Sequence, residues 1–210
     1  MSRRGILTVV SGFSGAGKGT VMKELVSRYQ YKLSISATTR LPREGEVDGR
    51  EYFFLTRDKF ESMIEAEQFI EYAQYVGNYY GTPRQYVEDQ LNAGYNVILE
   101  IEIQGALHVK EVFPEALLLF IVPPSAKILK ERLVNRGTED EATVKKRLSR
   151  AVEEAQFMDK YDYLVVNDQL DVCVEDVHRI ILSEQDKMQY NKEFISEMQR
   201  QLEAIQEGDL

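Results

Sequence analysis

A glycine-rich segment near the start of the chain carries the residue types that bind phosphate groups. It reads Gly12-Phe-Ser-Gly-Ala-Gly-Lys-Gly-Thr20 and lies between an apolar, β-branched run at 7–11 and a segment with apolar residues at helical spacing. Glycines let successive backbone N–H groups point inward at phosphate oxygens, and the positive end of the following helix faces the same anion. Lys18 can reach the outer phosphates. The segment therefore predicts a nucleotide phosphate site, and the alternative is an ordinary glycine turn.

The residue after the lysine departs from the usual phosphate-loop pattern. That pattern has Ser or Thr there to hold Mg²⁺, whereas this chain has Gly19 and then Thr20. Thr20 can still approach the metal or a phosphate, so it is a candidate metal ligand, with direct coordination left open. The Gly-Lys-Gly-Thr ending resembles nucleoside monophosphate kinases more than switch GTPases.

Length and composition restrict the class of protein. The 210 residues suit one α/β unit with inserted subdomains. A net charge of -9 argues against a nucleic-acid or membrane-surface binder, because both need a broad basic face. The one cysteine, Cys173, excludes an intrachain disulfide and a thiolate metal cage. The run before the phosphate loop is too short for a signal or membrane-spanning segment, and we expect a cytoplasmic protein.

The elements that must position the phosphate loop read as alternating strands and helices. The predicted strands of the core are 7–11, 33–37, 96–103, 117–122 and 163–166, and the later helices include 83–93, 125–135 and 141–158. Because crossovers of this length join parallel strands, the pattern predicts an α/β fold: a P-loop NTPase-type parallel sheet covered by helices on both faces.

Residues 36–83 break this pattern and are predicted to form a small, mostly β insertion. Thr38 to Gly49 is a polar loop rich in arginine and glycine, and 69–76 alternates before Gly77-Asn78, a hairpin turn signal. The predicted domains are the core at 1–35, 84–125 and 151–186, the insertion at 36–83, a helical lid at 126–150 and a C-terminal helical extension at 187–210.

The C-terminal extension has apolar residues at heptad spacing, namely Met188, Ile195 and Leu202 with Met198 and Ile205. Fewer than three full heptads make an independent coiled coil marginal. Two uses stay open for this helix, which are packing against the core and contact with a second subunit in a homodimer.

Several further motifs, in their order and spacing, make the chain resemble a guanylate kinase up to about residue 186. Besides the phosphate loop they are Ser36-Ala-Thr-Thr-Arg40-Leu-Pro-Arg43, Gly45-Glu46 with Gly49 and Tyr52, Phe69-Ile-Glu71, Gly77-Asn-Tyr-Tyr80-Gly-Thr82, Leu99-Glu-Ile-Glu-Ile-Gln-Gly105, Arg136-Gly-Thr138 and Val166-Asn-Asp168. The resemblance implies Mg²⁺-dependent transfer of the ATP γ-phosphate to GMP, and to dGMP, giving ADP and GDP.

The resemblance implies that the insertion at 36–83 closes over GMP and that the lid at about 126–150 closes over ATP. Arg40 and Arg43 would grip the GMP phosphate, since two guanidinium forks can bind one dianion bidentately, with the hydroxyls of Tyr52 and Tyr80 as further donors. The alternative for the arginines is a solvated pair on a surface loop.

The guanine base would lie among Ser36, Glu71 and Thr82 by the same resemblance. Guanine presents N1–H and the 2-amino group as adjacent donors, and one carboxylate accepts both. Adenine has an acceptor at N1 and no 2-amino group, so Glu71 would discriminate against it.

Two carboxylates, Glu100 and Glu102, lie two residues apart in the predicted strand 96–103. Their side chains would then point the same way near the carboxyl edge of the sheet, where ligands bind. The resemblance implies that Glu102 lies near the GMP base or ribose and Glu100 near Mg²⁺, through water. The alternative is two solvated carboxylates at a strand end.

The remaining residues implied by the resemblance serve ATP and the transferred phosphoryl group. Arg132, Arg136 and Arg147 are the predicted lid arginines, and Asn167 helps to hold adenine, whereas Lys145, Lys146 and Arg150 are read as solvated helix charges. The ATP-binding set is Gly12, Ser14, Gly15, Ala16, Gly17, Lys18, Gly19, Thr20, Arg132, Arg136 and Asn167, and the catalytic set is Lys18, Arg43, Arg136 and Arg147.

Two other functions fit the same fold. One is a kinase with another acceptor, either a different nucleoside monophosphate or a sugar phosphate as in ribose bisphosphate phosphokinases, against which Ser36, Glu71 and Thr82 argue. The other is a guanylate-kinase-like module that binds peptides without catalysis. Such modules typically lack a working phosphate loop, whereas Lys18 and its glycines are intact here.

Overall fold

The computed structural model describes residues 4–135 and 141–207. The strands are β1 (Leu7–Gly12), β2 (Tyr31–Leu33), β3 (Ala37–Thr38), β4 (Phe53–Phe54), β5 (Phe69–Tyr75), β6 (Asn78–Pro83), β7 (Asn96–Glu100), β8 (Leu117–Val122) and β9 (Tyr163–Val166). The helices are α1 (Lys18–Arg28), α2 (Arg57–Glu65), α3 (Arg84–Asn92), α4 (Ile103–Val112), α5 (Ala126–Asn135), α6 (Glu141–Ala155), α7 (Leu170–Gln185) and α8 (Lys192–Glu207). None of the helices in these two ranges is long and apolar enough to cross a membrane.

A five-stranded parallel sheet with the order β2-β7-β1-β8-β9 forms the centre of the fold. Alternate side chains of a strand face opposite sides of a sheet. Val10 accordingly packs in the core that α1 and α7 cover, and Val9 packs in the core that α3 and α4 cover. The predicted fold class, a parallel sheet with helices on both faces, is confirmed.

A second, four-stranded sheet with the order β4-β3-β6-β5 lies within residues 36–83. Its β5–β6 hairpin was predicted from Gly77-Asn78, but Tyr75 pairs with Asn78, so the two-residue turn is Val76-Gly77. Both turn residues have positive φ, 47° at Val76 and 78° at Gly77, as a tight hairpin turn of matching twist requires. The domain boundaries themselves stay a prediction.

Two predicted strands are shorter in the structure. The run 33–37 is divided between the two sheets, because β2 ends at Leu33 and β3 begins at Ala37. The run 96–103 ends as a strand at Glu100, since the Ser11 hydroxyl donates to the Ile101 carbonyl at 2.8 Å and the chain then enters α4. Because the strands of this sheet are parallel, the last residues of β1, β7 and β9 lie along the same edge of the sheet.

Candidate functional site

The phosphate loop joins β1 to α1 in a conformation that glycine permits. Gly17 has φ of 89°, and a Cβ there would lie 2.5 Å from the Asn167 amide nitrogen. A Cβ on Gly12 would lie 2.1 Å from the Ile121 carbonyl oxygen. Larger residues at either position would push the loop away from the strands behind it, so the packing of the loop requires both glycines.

Lys18 is the first residue of α1, and its ammonium group folds back over the loop. Nζ donates to the carbonyl oxygens of Gly12 at 2.6 Å and Phe13 at 3.1 Å. The ammonium therefore lies where the backbone N–H groups of the loop and the positive end of α1 also attract an anion. Thr20, the candidate metal ligand, is exposed in the first turn of α1.

Asn167 and Arg132 support the phosphate loop from behind. The Asn167 side chain is buried and donates to the Ala16 carbonyl at 2.8 Å. Arg132 donates to the Asn167 carbonyl at 2.8 Å and to the Ala16 carbonyl at 3.4 Å. Contacts of these two residues with ATP stay a prediction.

The predicted lid contributes Arg147 to the same loop. Arg147 lies on α6 and donates to the Ser14 hydroxyl at 2.7 Å. Arg136 falls outside the described residues. The structure thus brings Ser14, Lys18 and Arg147 together around one phosphate-binding segment.

Glu71 and Thr82 form a buried pair between β5 and β6. The Thr82 hydroxyl donates to Glu71 Oε1 at 2.6 Å, and a Cβ on Gly105 would lie 3.0 Å from Glu71 Oε2. Burial raises the pKa of the Glu71 carboxyl, and hydrogen bonds from Thr82 and the charge of His108 oppose that shift only in part. A buried carboxylate with so few donors is suited to a ligand that supplies donors of its own.

Arg40, one of the two predicted clamp arginines, is held in place by an acidic residue that sequence reasoning did not assign to the site. Glu46 accepts from Arg40 Nη2 at 2.9 Å and from the Arg43 backbone N–H at 2.8 Å. The backbone donor, followed by Arg40, lowers the pKa of the Glu46 carboxyl. The Arg40 guanidinium also lies 5.4 Å from the ring centre of Tyr52, and the Tyr52 and Tyr80 rings are 6.0 Å apart. The Arg43 side chain is exposed.

Two adjoining cavities are lined by some of these groups, although not by Glu71, Arg40 or Arg147. The first, here called the Ser36 cavity, is lined by Ser36, Thr82 and neighbouring residues. The second, here called the Lys18 cavity, is lined by Lys18, Gly12, Glu102 and neighbouring residues. Tyr52, Glu100 and Ile101 line both. Some of the residues predicted for the acceptor and for the donor therefore line two neighbouring cavities that share one wall.

Glu100 and Glu102 reach this space from different elements, which corrects the prediction that they share a strand. Glu100 ends β7, whereas Glu102 precedes α4 as its N-cap residue. Burial raises the pKa of the Glu100 carboxyl, and the charge of Lys18 opposes that shift. Gly19, the residue after the phosphate-loop lysine, lies near the Glu100 carboxylate, since a Cβ on Gly19 would be 4.0 Å from Glu100 Oε1.

Arg150 is exposed, as predicted for a solvated helix charge, but it also forms ion pairs that were not predicted. Its guanidinium contacts the carboxylates of Glu102 and Glu154. The sequence could have indicated a role for Arg150 near the site, because it lies three residues after Arg147 and therefore on the same face of the helix. Lys145 and Lys146, read in the same way, are exposed.

Comparisons with known proteins agree with this geometry. The family model Guanylate kinase matches residues 4–184. Curated guanylate kinases of Bacillus cereus (strain ZK / E33L) and Bacillus anthracis are each 52% identical over 201 residues, covering 94% of this chain and 97% of each relative. A crystal structure of guanylate kinase from Anaplasma phagocytophilum is similar with a TM-score of 0.69 and 32% identity, covering 89% of both chains.

Proposed function

Because the chain belongs to the guanylate kinase family, we propose that it transfers the γ-phosphate of ATP to GMP, giving ADP and GDP, with Mg²⁺ as cofactor. The chain is a nucleoside monophosphate kinase, and dGMP is proposed as a further acceptor. One observation carries the assignment of the two nucleotides to their places. The Lys18 cavity and the Ser36 cavity share Tyr52, Glu100 and Ile101, so a donor and an acceptor phosphate can meet there.

Charge neutralisation and positioning supply the catalysis. The acceptor oxygen of the GMP phosphate is already an anion and needs no general base, so the protein must offset the repulsion between two negatively charged nucleotides. Lys18 and the phosphate loop hold the donor phosphates, and Arg147 adds charge from α6. Arg40 and Arg43 hold the acceptor phosphate, with Tyr52 and Tyr80 beside Arg40.

The groups near the cavities fit a magnesium ion that is bound together with the substrates. Mg²⁺ is usually held by one or two carboxylates plus substrate phosphates, and it neutralises charge on the transferred group. Glu100 is a carboxylate in a cavity that also contains Lys18, whose charge favours its ionised form. Within residues 4–135 and 141–207, no three His, Cys, Asp or Glu side chains could hold an ion together. We therefore assign Glu100, through water, and Thr20 as the protein groups nearest the metal.

The proposal is tested by measuring ADP formation from ATP and Mg²⁺ with GMP, dGMP, AMP, dTMP or no acceptor. We expect rapid ADP formation with GMP and background rates with AMP, dTMP and no acceptor, because Glu71 accepts from two donors that adenine and thymine do not present together. Preference for another acceptor would replace GMP in the assignment, and no acceptor-dependent ADP would favour a binding module.

Replacing Arg43 by alanine tests the phosphate clamp. We expect KM for GMP to rise about 10- to 100-fold, because one set of charge-assisted hydrogen bonds to the phosphate is lost, and kcat to fall. The melting temperature should stay unchanged, since the side chain is exposed. Arg57→Ala, which removes an exposed arginine from the same insertion, is the matched control. An Arg43→Ala enzyme with wild-type GMP kinetics would show that this residue is not part of the clamp.

The C-terminal helix α8 supports a further proposal, a homodimer. Met198, Leu202 and Ile205 on α8 are 42% to 58% exposed and Met188, just before it, is 71% exposed, whereas Ile195 is half-buried, so most of the predicted heptad face is open to solvent. The mass of the chain in solution, measured with and without residues 187–210, tests the contact, and a monomer in both cases would exclude it. The cytoplasmic location stays a prediction.

A further inference from the structure

Arg150 connects two carboxylates that approach each other from different elements. Its Nη2 contacts Glu102, which precedes α4, and its Nε donates to Glu154 Oε1 at 2.9 Å on its own helix. A guanidinium can bond two carboxylates at once because its donors point in fixed, diverging directions. Arg150 therefore fixes Glu102 relative to α6.

Glu154 holds the Arg150 guanidinium in place from the same helix. The Glu154 side chain is only 12% exposed, and its Oε2 is buried without a hydrogen-bond partner among the described residues. Burial raises the pKa of Glu154, Glu102 adds to that shift, and Arg150 opposes it. Without Arg150, Glu102 and Glu154 would lose the cation that bonds both of them, and we expect their repulsion to turn Glu102 away.

The same face of α6 contacts both the phosphate loop and Glu102. Arg147 donates to Ser14 of the phosphate loop at 2.7 Å, and Arg150, three residues later, contacts Glu102 in the Lys18 cavity. Residues three apart lie one above the other on a helix. One helix therefore carries Arg147 to the phosphate loop and Arg150 to Glu102, the carboxylate predicted to lie near GMP.

We propose that Arg150 is a positioning residue for the acceptor nucleotide, which bridges Glu154 and Glu102 so that the Glu102 carboxylate faces GMP. This inference rests on the proposed function, since it assumes that GMP in the Ser36 cavity reaches Glu102 across the residues that both cavities share. Arg150 is 51% exposed and Glu102 is 73% exposed, so the pair adds little to the stability of the fold. Its effect should appear in substrate kinetics.

The test compares Arg150→Met, Glu102→Gln and the double variant in the ADP-formation assay. We expect Arg150→Met to raise KM for GMP about 3- to 10-fold, the loss of roughly one oriented hydrogen bond, with KM for ATP unchanged. Because Arg150 acts through Glu102, the double variant should show the KM of Glu102→Gln alone instead of the product of both effects. Arg150→Lys, which keeps the charge without the fork, should give an intermediate KM.

Lys145→Met is the matched control, since it removes a positive charge from an exposed position of α6, and we expect wild-type kinetics. An unchanged KM for GMP in Arg150→Met, or effects that multiply in the double variant, would overturn the role of Arg150. If Arg150→Met does not fold, the same cycle with Arg150→Lys decides. Failure of the wild-type enzyme to use GMP in this assay would instead overturn the proposed function.

Discussion

Glu71→Gln should lower kcat/KM for GMP by about 10²- to 10⁴-fold while leaving ATP binding close to wild type. The carboxylate can accept from N1–H and the 2-amino group of guanine together, whereas an amide turns an NH₂ group toward one of these donors. Two charge-assisted hydrogen bonds at about 1.5–3 kcal/mol each give this range. Parallel measurements of GMP kinetics and of ATP-analogue binding check the prediction, with Glu65→Gln, an exposed carboxylate of the same insertion, as the control.

The same substitution should raise the stability of the ligand-free protein at neutral pH. Burial raises the pKa of Glu71 above its ordinary value of 4.5, so the folded state holds the proton more tightly than the unfolded state. The resulting stability is present below pH 4.5 and is lost as the pH rises through the raised value. Glutamine carries no charge at any pH and still accepts from Thr82. The melting temperature of Glu71→Gln should therefore exceed that of wild type at pH 8, and the difference should shrink in acid.

A pH profile of the wild-type enzyme gives an independent check. Recognition of GMP needs the ionised carboxylate, so KM for GMP should rise as the pH falls through the raised pKa of Glu71, above the range of an ordinary glutamate. A loss of ATP and GMP use in equal measure in Glu71→Gln, or a lower melting temperature at pH 8, would contradict the buried base-recognition role.

The phosphate loop could be predicted from sequence because its determinants are local. A β-branched run, glycines at fixed spacing and an amphipathic segment together specify β1, the loop and α1 within 7–28, and the structure has all three there. The sheet order follows less directly from the sequence, but the uninterrupted apolar run 117–122 is typical of a buried parallel strand, and all six residues of β8 are buried.

The details that sequence reasoning missed depend on partners distant along the chain. Just after β7 ends, the Ile101 carbonyl accepts a hydrogen bond from Ser11, which lies 90 residues away, and an apolar run alone does not indicate such a partner. Arg150 looks like any other helix charge until α4 brings Glu102 beside it. The Val76-Gly77 turn is fixed by the pairing of Tyr75 with Asn78, which the pattern of turn residues does not specify.

Lys18→Met should lower kcat about 10²- to 10³-fold, the usual cost of removing one donor aimed at charge that develops in the transition state. In the ligand-free protein the ammonium bonds the Gly12 and Phe13 carbonyls at 2.6 and 3.1 Å, and these contacts hold a cation at the positive end of α1. Lys18 is therefore positioned to bind a phosphate, although the dipole of α1 disfavours a cation at this end of the helix. Single-turnover rates at saturating ATP and GMP measure the effect directly.

Two further variants separate position from charge in this prediction. Lys18→Arg should recover little activity, because a planar guanidinium cannot occupy the place of a compact ammonium held between two loop carbonyls. Lys23→Met removes an exposed lysine from the same helix and should behave as wild type. Since the helix dipole disfavours Lys18, the melting temperature of Lys18→Met should not fall far even though catalysis does. Turnover near the wild-type rate in Lys18→Met would mean that the transferred phosphoryl group is stabilised from elsewhere, and the assignment of the Lys18 cavity to ATP would fail with it.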